Sequence, residues 1–189
     1  MQESADKYSY FNEIKKERRY RVVNILLMCL IVALLVALIV FSTTLTTMLV
    51  KGDSMQPNLL DGNRILLVKH HFTLDYGDIV VIDRGGSDDD RYIVKRVVGK
   101  SGDVVKFDVE KKLWVRNGKP ITDDYFDGEY SDSYLVSSSI ENELKGEGFK
   151  VPDNGIFVLG DNRNISNDSR QNGAFAMKKV VGKVIHVFN

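Results

Sequence analysis

Two residues of this chain, a serine and a lysine about forty positions apart, have the types and surroundings needed for acyl transfer. Ser54 lies in the segment GDSMQP, residues 52–57, after a glycine with wide backbone freedom and before a proline that restricts the chain. Such a turn can expose a hydroxyl and aim its own N–H at a developing oxyanion. Gly-Asp-Ser turns are also ordinary structural features, so Ser54 alone does not establish catalysis.

The second residue, Lys95, lies in the segment YIVKRVVG, residues 92–99. Residues two apart in a strand share a face, so Lys95 is expected beside Ile93 and Val97 on an apolar face. A general base must be unprotonated, and burial disfavours the charged ammonium. An ordinary lysine is neutral in only roughly one molecule in two thousand at pH 7. The alternative is a lysine whose stem packs while its amine reaches water.

A third polar segment, GDNRNISNDSRQNG at residues 160–173, is dense in groups that hydrogen-bond their own backbone. This composition predicts a rigid loop. Asp168 and Arg170 could pair and brace the loop, and the Ser166 hydroxyl could orient the lysine amine. A solvated loop of mixed charge is the alternative reading of the same composition.

An apolar segment near the N-terminus precedes all three. Residues 22–41 are apolar except for Asn24, and twenty helical residues span roughly the 30 Å hydrocarbon core. The run is longer than the apolar part of a signal peptide and no small-x-small cleavage site follows it, which predicts an uncleaved anchor. The basic cluster KKERRYR precedes the anchor, and only Lys51 follows soon after. The positive-inside rule therefore places the N-terminus in the cytoplasm.

The chain is thus divided into a cytoplasmic tail (1–21), a transmembrane anchor (22–41), an interfacial linker (42–50) and an extracytoplasmic domain (51–189). Short β-type runs alternate in this domain with Gly, Asp and Asn. They predict strands at Arg64–Lys69, Ile79–Asp83, Tyr92–Val98, Val104–Asp108, Leu113–Arg116, Ile156–Gly160 and Val180–Phe188. The predicted fold is mostly β, antiparallel and partly closed, after one transmembrane helix.

Two local features refine this prediction. The dipeptide Asn117-Gly118 is typical of a type I′ hairpin turn, because both of its central positions need positive φ. Residues 125–154 are rich in Ser, Asp, Glu and Gly, and we interpret them as an excursion from the β domain with a short helix near Ser138–Leu144.

Other chemistries find little support. The one cysteine, Cys29, lies in the apolar segment, which excludes a cysteine nucleophile in the domain. The three histidines lack metal-ligand spacing, and a Ser-His-Asp triad has no local signature. The run Asp88-Asp89-Asp90 could bind calcium weakly, but a solvated loop is the simpler reading. The balanced charge is unlike that of a nucleic-acid-binding protein. No metal or other cofactor is expected.

Together these segments resemble the bacterial type I signal peptidases, a membrane-anchored Ser-Lys family. The resemblance rests on blocks in the family's order and spacing, which are Ser54-Met55-x-Pro57, Tyr76–Val81, Tyr92–Gly99 with Gly102-Asp103, and Gly160–Arg163 with Ser166, Asp168, Ser169, Arg170 and Gly173.

By this resemblance Ser54 is the nucleophile, Lys95 is the general base, Ser166 orients Lys95, and Asp168 with Arg170 braces the loop. The chain departs from the family pattern in two places. Asn58 replaces the threonine of many members. Gly52 replaces a hydroxyl residue that serves some members as a side-chain oxyanion donor, so the Ser54 backbone N–H must act with water or another group.

The resemblance implies a serine endopeptidase of the bacterial plasma membrane that removes signal peptides from secretory preproteins with small residues at −1 and −3. The lipid bilayer and the secretion translocon would be its surroundings. Twelve residues, 42–53, separate the anchor from Ser54 and reach at most about 40 Å, so cleavage is expected near the outer membrane surface. Two alternatives remain, a non-catalytic assembly or chaperone factor for surface structures and a self-cleaving repressor. A housekeeping and a dedicated substrate range both remain open.

Overall fold

A computed structural model describes residues 2–70, 72–86, 91–121 and 140–188, with side chains from residue 15 onward. The chain forms two compact units, Met1–Thr44 and Leu45–Asn189. The first unit is one helix, α1 (Gln2–Thr44). Within its part Lys15–Thr44 the most apolar 18-residue stretch has a mean hydropathy of 3.3, and none of that stretch is buried. Among the described residues this is the one helix long and apolar enough to cross a membrane, and it contains the predicted anchor.

The second unit is mostly antiparallel β structure, which confirms the predicted fold class. Its strands are β1 (Leu45–Leu49), β2 (Arg64–Val68), β3 (Ile79–Asp83), β4 (Tyr92–Lys100), β5 (Val104–Asp108), β6 (Leu113–Arg116), β7 (Lys119–Pro120), β8 (Phe149–Lys150), β9 (Gly155–Leu159), β10 (Phe175–Ala176) and β11 (Val180–Phe188). A seven-stranded sheet has the order β1-β2-β11-β3-β4-β9-β10, and a four-stranded sheet has the order β7-β6-β5-β8. Register shifts in β11 and in the β4–β9 pair bend the larger sheet.

All seven strands predicted from the sequence form, with ends that differ by no more than two residues. The structure adds β1, which lies within the segment predicted as a linker and pairs with β2 along its whole length. It also adds three two-residue strands, which are too short to leave an alternating pattern. Asn117 and Gly118 have φ values of 51° and 77°, as the predicted type I′ turn between β6 and β7 requires.

Aromatic packing joins the two sheets. The rings of Phe107 and Trp114 in the smaller sheet pack at a tilt, with their centroids 5.4 Å apart. The Trp114 centroid lies 6.1 Å from that of Phe157, which is on β9 of the larger sheet. All three side chains are buried. Burial of each such side chain stabilises a fold by roughly 1.5–3 kcal/mol, so this cluster holds the smaller sheet against β4 and β9.

The predicted excursion at 125–154 is described from residue 140 onward; its first half and the acidic run at 88–90 lie outside the described residues. Its described part contains α2 (Glu141–Lys145), close to the predicted helix, and β8. Leu144 and Val151 are buried in the same core cluster as Trp114. The end of the excursion is therefore an integral part of the β domain.

Candidate active site

Ser54 lies in the connection between β1 and β2, and short backbone hydrogen bonds close the base of this loop. The Val50 N–H donates to Asn63 O at 2.9 Å, and the Gly62 N–H donates to Val50 O at 2.9 Å. Met55, next to the serine, is only 1% exposed and anchors the loop in an apolar cluster. Ser54 itself is half-buried. The loop is thus attached to the core on one side of the serine, and the hydroxyl remains accessible.

Lys95 lies on β4, in the interior of the seven-stranded sheet between β3 and β9. Its side chain is only 3% exposed, and Ile93 and Val97 of the same strand face one apolar cluster. Lys95 Nζ lies 2.7 Å from Ser54 Oγ and donates a second hydrogen bond to Val94 O at 2.8 Å. The structure therefore brings together the two residues that the sequence singled out, although 41 positions separate them.

Burial changes the acid-base behaviour of this lysine. Loss of hydration lowers the pKa of Lys95 from its usual value of 10.5 to about 8, and the nearby cations Arg84 and Arg170 act in the same direction. The carboxylates of Asp168 and Asp161 oppose this change. A lysine with this pKa is neutral in roughly one molecule in ten at pH 7, so it can accept a proton at physiological pH.

The polar loop that follows β9 packs against the nucleophile loop. The Asn162 N–H donates to Ser54 O at 3.0 Å. Gly160 lies beside the same carbonyl, where a Cβ atom at position 160 would come within 2.5 Å of Ser54 O and would also overlap the Ser166 hydroxyl. A residue without a side chain is required at this contact, because any Cβ would push the two loops apart.

Asp168 and Arg170 brace this loop from within. Arg170 Nε and Nη2 each donate to one Asp168 oxygen at 2.9 Å, and Arg170 also donates to the carbonyl groups of Arg163 and Ser166. The Gly160 N–H donates to Asp168 at 2.9 Å. Burial alone would raise the pKa of Asp168, but the Arg170 charge and these hydrogen bonds hold it below its usual value. The pairing predicted from the sequence is present in a fully desolvated form.

Ser166 lies in the same loop, and its hydroxyl is buried. It makes no hydrogen bond of ordinary geometry within the described part of the chain, but it lies close enough to Asp168 to help lower the pKa of that carboxyl group. The hydrogen bonds of Lys95 Nζ in that part of the chain go to Ser54 and Val94. The orienting contact between Ser166 and Lys95 is therefore not formed in this structure, and the role assigned to Ser166 stays a prediction.

A second buried ion pair, between Arg96 and Asp161, lies beside the site and was not predicted from the sequence. Arg96, on the opposite face of β4 from Lys95, donates from Nε to Asp161 Oδ1 at 2.8 Å and from Nη1 to Gly77 O at 2.7 Å. Asn58 adds a hydrogen bond to Asp161 at 3.0 Å. The sequence did contain a signal for this pair, which is the arginine within the apolar strand at 92–99. An arginine buried in such a strand needs an acidic partner. This pair ties β4, the nucleophile loop and the β9 loop together.

Comparison with known proteins shows the family of this chain. The model of the family described as "Signal peptidase, peptidase S26" matches residues 22–189. The chain belongs to this peptidase family. It is 33% identical to a signal peptidase I of Bacillus licheniformis over 92% of this chain and 90% of the relative. It is 36% identical to signal peptidase I S of Bacillus subtilis over 74% of each chain. A crystal structure of a signal peptidase I from Enterococcus faecalis aligns with a TM-score of 0.47 and 26% identity, covering 61% of this chain and 98% of that one.

This S26 peptidase has a small cavity lined by residues of the first four strands and by Lys51. Its volume is about 100 Å³ and its walls include Met48 of β1, Ile65, Val81, Tyr92 and Val94. Val94 is also the residue whose carbonyl oxygen accepts the Lys95 hydrogen bond. Most of the lining side chains are aliphatic, with Tyr92 and Lys51 as the exceptions, so the cavity can accept a small apolar group.

Proposed function

We propose that this chain is a membrane-bound serine endopeptidase that removes signal peptides, with Ser54 as the nucleophile and Lys95 as its general base. Membership of the signal peptidase family supports removal of signal peptides. The observation that carries the assignment of the dyad is the 2.7 Å separation of Lys95 Nζ and Ser54 Oγ in a site where the lysine is desolvated. Nucleophile and base at hydrogen-bond distance are the geometry that covalent catalysis requires.

In the proposed mechanism neutral Lys95 accepts the Ser54 proton while Ser54 Oγ attacks the scissile carbonyl carbon. The tetrahedral intermediate collapses, the peptide C–N bond breaks, and protonated Lys95 transfers its proton to the leaving amine. An ester links the signal peptide to Ser54. Lys95 then takes a proton from water, and the hydroxide adds to the ester carbonyl carbon. The bond between this carbon and Ser54 Oγ breaks, Oγ recovers the proton from Lys95, and the signal peptide leaves with a free carboxyl group. Atoms and charges balance without a metal or a nucleotide.

Stabilisation of the oxyanion is assigned to the Ser54 N–H. Gly52 has no side chain that could donate a second hydrogen bond, so water or another group must complete the oxyanion site. Ser166 remains the proposed orienting residue for Lys95, because its buried hydroxyl lies against Gly160, beside the Ser54 carbonyl group. The brace of Asp168 and Arg170 acts indirectly, since it holds Gly160 and Asn162 against the nucleophile loop.

The proposed substrate is a secretory preprotein with small residues at −1 and −3. The small, mostly aliphatic cavity at Val94, the residue before Lys95, supports this preference. The single apolar helix fits one membrane span, and the basic residues that precede it favour a cytoplasmic N-terminus. The domain at 51–189 would then act at the outer face of the plasma membrane, close to the translocon from which its substrates emerge.

Right-side-out membrane vesicles that carry the wild type or Ser54→Ala test the activity and the orientation together. A radiolabelled preprotein is added outside without detergent, and the N-terminus of the product is sequenced. We expect the wild type to cut once, after a small residue, and Ser54→Ala not to cut. Cleavage only after detergent is added would reverse the orientation. Equal cleavage by both proteins would point to a contaminating protease and contradict the role of Ser54. No cleavage by the folded wild type with several preproteins would favour a dedicated substrate or the non-catalytic assembly role.

The pH dependence of cleavage tests the lysine separately. Because only neutral Lys95 can accept the serine proton, kcat/KM should rise about tenfold per pH unit below the Lys95 pKa. The profile should level off above an apparent pKa of about 8. Initial rates between pH 5.5 and 9.5, on a preprotein without groups that titrate in this range, measure the curve. A flat profile across this range contradicts a lysine base.

A further inference from the structure

Asp61, at the far end of the nucleophile loop, makes a contact that neither the family pattern nor the dyad explains. Its Oδ1 accepts a hydrogen bond from the Gly52 N–H at 2.7 Å. We propose that Asp61 is a positioning residue for Ser54, which holds the Gly52 peptide so that the serine N–H and hydroxyl stay aligned for attack. The inference rests on the proposed function and adds a residue to it.

The contact extends the closure of the loop toward the serine. Backbone hydrogen bonds join Val50 to Asn63 and to Gly62 at the base of the loop. Two residues after Val50, and nearer the serine, the Gly52 N–H also donates across the loop. Its acceptor is the Asp61 carboxylate rather than a backbone carbonyl group. A hydrogen bond to an ionised acceptor is about twice as strong as a neutral one. The Asp61 side chain thus replaces the backbone acceptor that a further hydrogen bond across the loop would need.

Gly52 is a position where such a bond matters. Its φ is +79°, and a Cβ atom there would meet nothing within 4 Å, so packing does not hold this residue. A glycine without neighbours has more conformational freedom to lose than any other residue. The hydrogen bond to Asp61 is therefore the contact that selects one orientation of the Gly52 peptide.

Ser54 is held on its other side by a different contact. The Asn162 N–H binds Ser54 O at 3.0 Å, which fixes the carbonyl group of the serine. The Ser54 N–H donates to no acceptor within the described residues. Only Asp53 separates the serine from Gly52. Asp61 and Asn162 therefore hold the chain on the two sides of the nucleophile, and the Ser54 N–H is left to bind the substrate oxyanion.

Two substitutions of Asp61 distinguish the effect of its hydrogen-bond acceptor from the effect of its charge. Asp61→Asn keeps an oxygen acceptor at the same distance but removes the charge, whereas Asp61→Glu keeps the charge but moves the carboxylate by one methylene. We expect kcat within about threefold of the wild type for Asp61→Asn, and about tenfold below it for Asp61→Glu and Asp61→Ala. KM should change less than threefold, because misplacement of a reacting group lowers the rate rather than substrate binding.

A remote aspartate provides the matched control. Asp108 accepts a hydrogen bond from the Lys111 N–H at 3.0 Å in a turn of the smaller sheet, so Asp108→Ala removes the same kind of contact away from Ser54. We expect wild-type kcat for this variant. Equal kcat in all Asp61 variants overturns the proposal. A loss in Asp61→Asn with full activity in Asp61→Glu also overturns it, since the charge would then matter and the acceptor position would not.

Amide hydrogen exchange gives a readout that does not depend on cleavage. The Gly52 N–H should exchange at least tenfold faster in Asp61→Ala than in the wild type, and Asp61→Asn should retain most of the protection. Unchanged exchange in Asp61→Ala overturns the proposal even if the protein cuts no preprotein. If the wild type is inactive but the exchange result is as expected, the proposed function fails while the Asp61–Gly52 contact stands. Thermal unfolding at the assay pH verifies that each variant is folded.

Discussion

Replacement of Lys95 by methionine should lower kcat by about 10³-fold or more. Methionine fills the same buried volume but cannot take the proton from Ser54, and general acid-base catalysis contributes roughly 10²–10⁴-fold to a rate. Because the serine and lysine act as a unit, the double variant Ser54→Ala/Lys95→Met should be no slower than either single variant. Single-turnover cleavage of a preprotein by purified, folded enzyme measures these rates.

Two further substitutions serve as controls for Lys95→Met. Lys95→Arg should be as inactive as Lys95→Met, because a guanidinium group keeps its proton at any pH at which the protein is folded. Lys100→Met changes a half-buried lysine on the same strand, whose Nζ lies 4.3 Å from the Tyr76 ring, and should keep nearly full activity. Retention of a tenth or more of the wild-type kcat by Lys95→Met would exclude a lysine base.

The second large effect is expected on stability. Arg170→Met should lower the free energy of unfolding by about 3–5 kcal/mol, because it leaves a buried, unpaired carboxylate on Asp168. The two carbonyl groups that accept from Arg170 also lose their donors. Urea unfolding at pH 7 measures the difference. Activity should fall as well, since the loop that carries Gly160 and Asn162 contacts the nucleophile loop.

The Asp168 charge provides an internal test of this explanation. The second substitution in Arg170→Met/Asp168→Asn removes the unpaired charge and should restore part of the lost stability. In Arg170→Met alone the deficit should shrink as the pH falls, because Asp168 without its cation binds a proton at a higher pH than in the wild type. Arg91→Met breaks the more exposed pair with Asp83 and should cost less than about 1 kcal/mol. Equal losses of unfolding free energy in Arg170→Met and Arg91→Met would show that burial does not determine what an ion pair contributes to stability.

Much of the β domain follows from local sequence patterns. Every strand of four or more residues after the anchor was predicted except β1, because alternating apolar side chains and Gly or Asn turns act over short distances. The strand β1 escaped prediction because its residues, LTTML, directly follow the apolar anchor and carry no turn signal before them. The strands of two residues form only because neighbouring strands offer free hydrogen-bonding groups.

In the candidate site, too, local contacts were predicted from the sequence and contacts between loops were not. Lys95 on an apolar strand face and the pairing of Asp168 with Arg170 follow from residue type and spacing, which operate within one element or one loop. The Arg96–Asp161 pair, the hydrogen bond from Asn162 to Ser54 and the Asp61–Gly52 contact did not follow, because each joins loops whose approach depends on the whole sheet order.

The sequence by itself therefore determined the chemical groups of this protein, its longer strands other than β1, and its apolar anchor. Only the tertiary structure decided that Lys95 Nζ lies 2.7 Å from Ser54 Oγ and that its pKa falls to about 8. Distance and desolvation are properties of the packed strands and loops around both residues, and no single segment of the chain contains them.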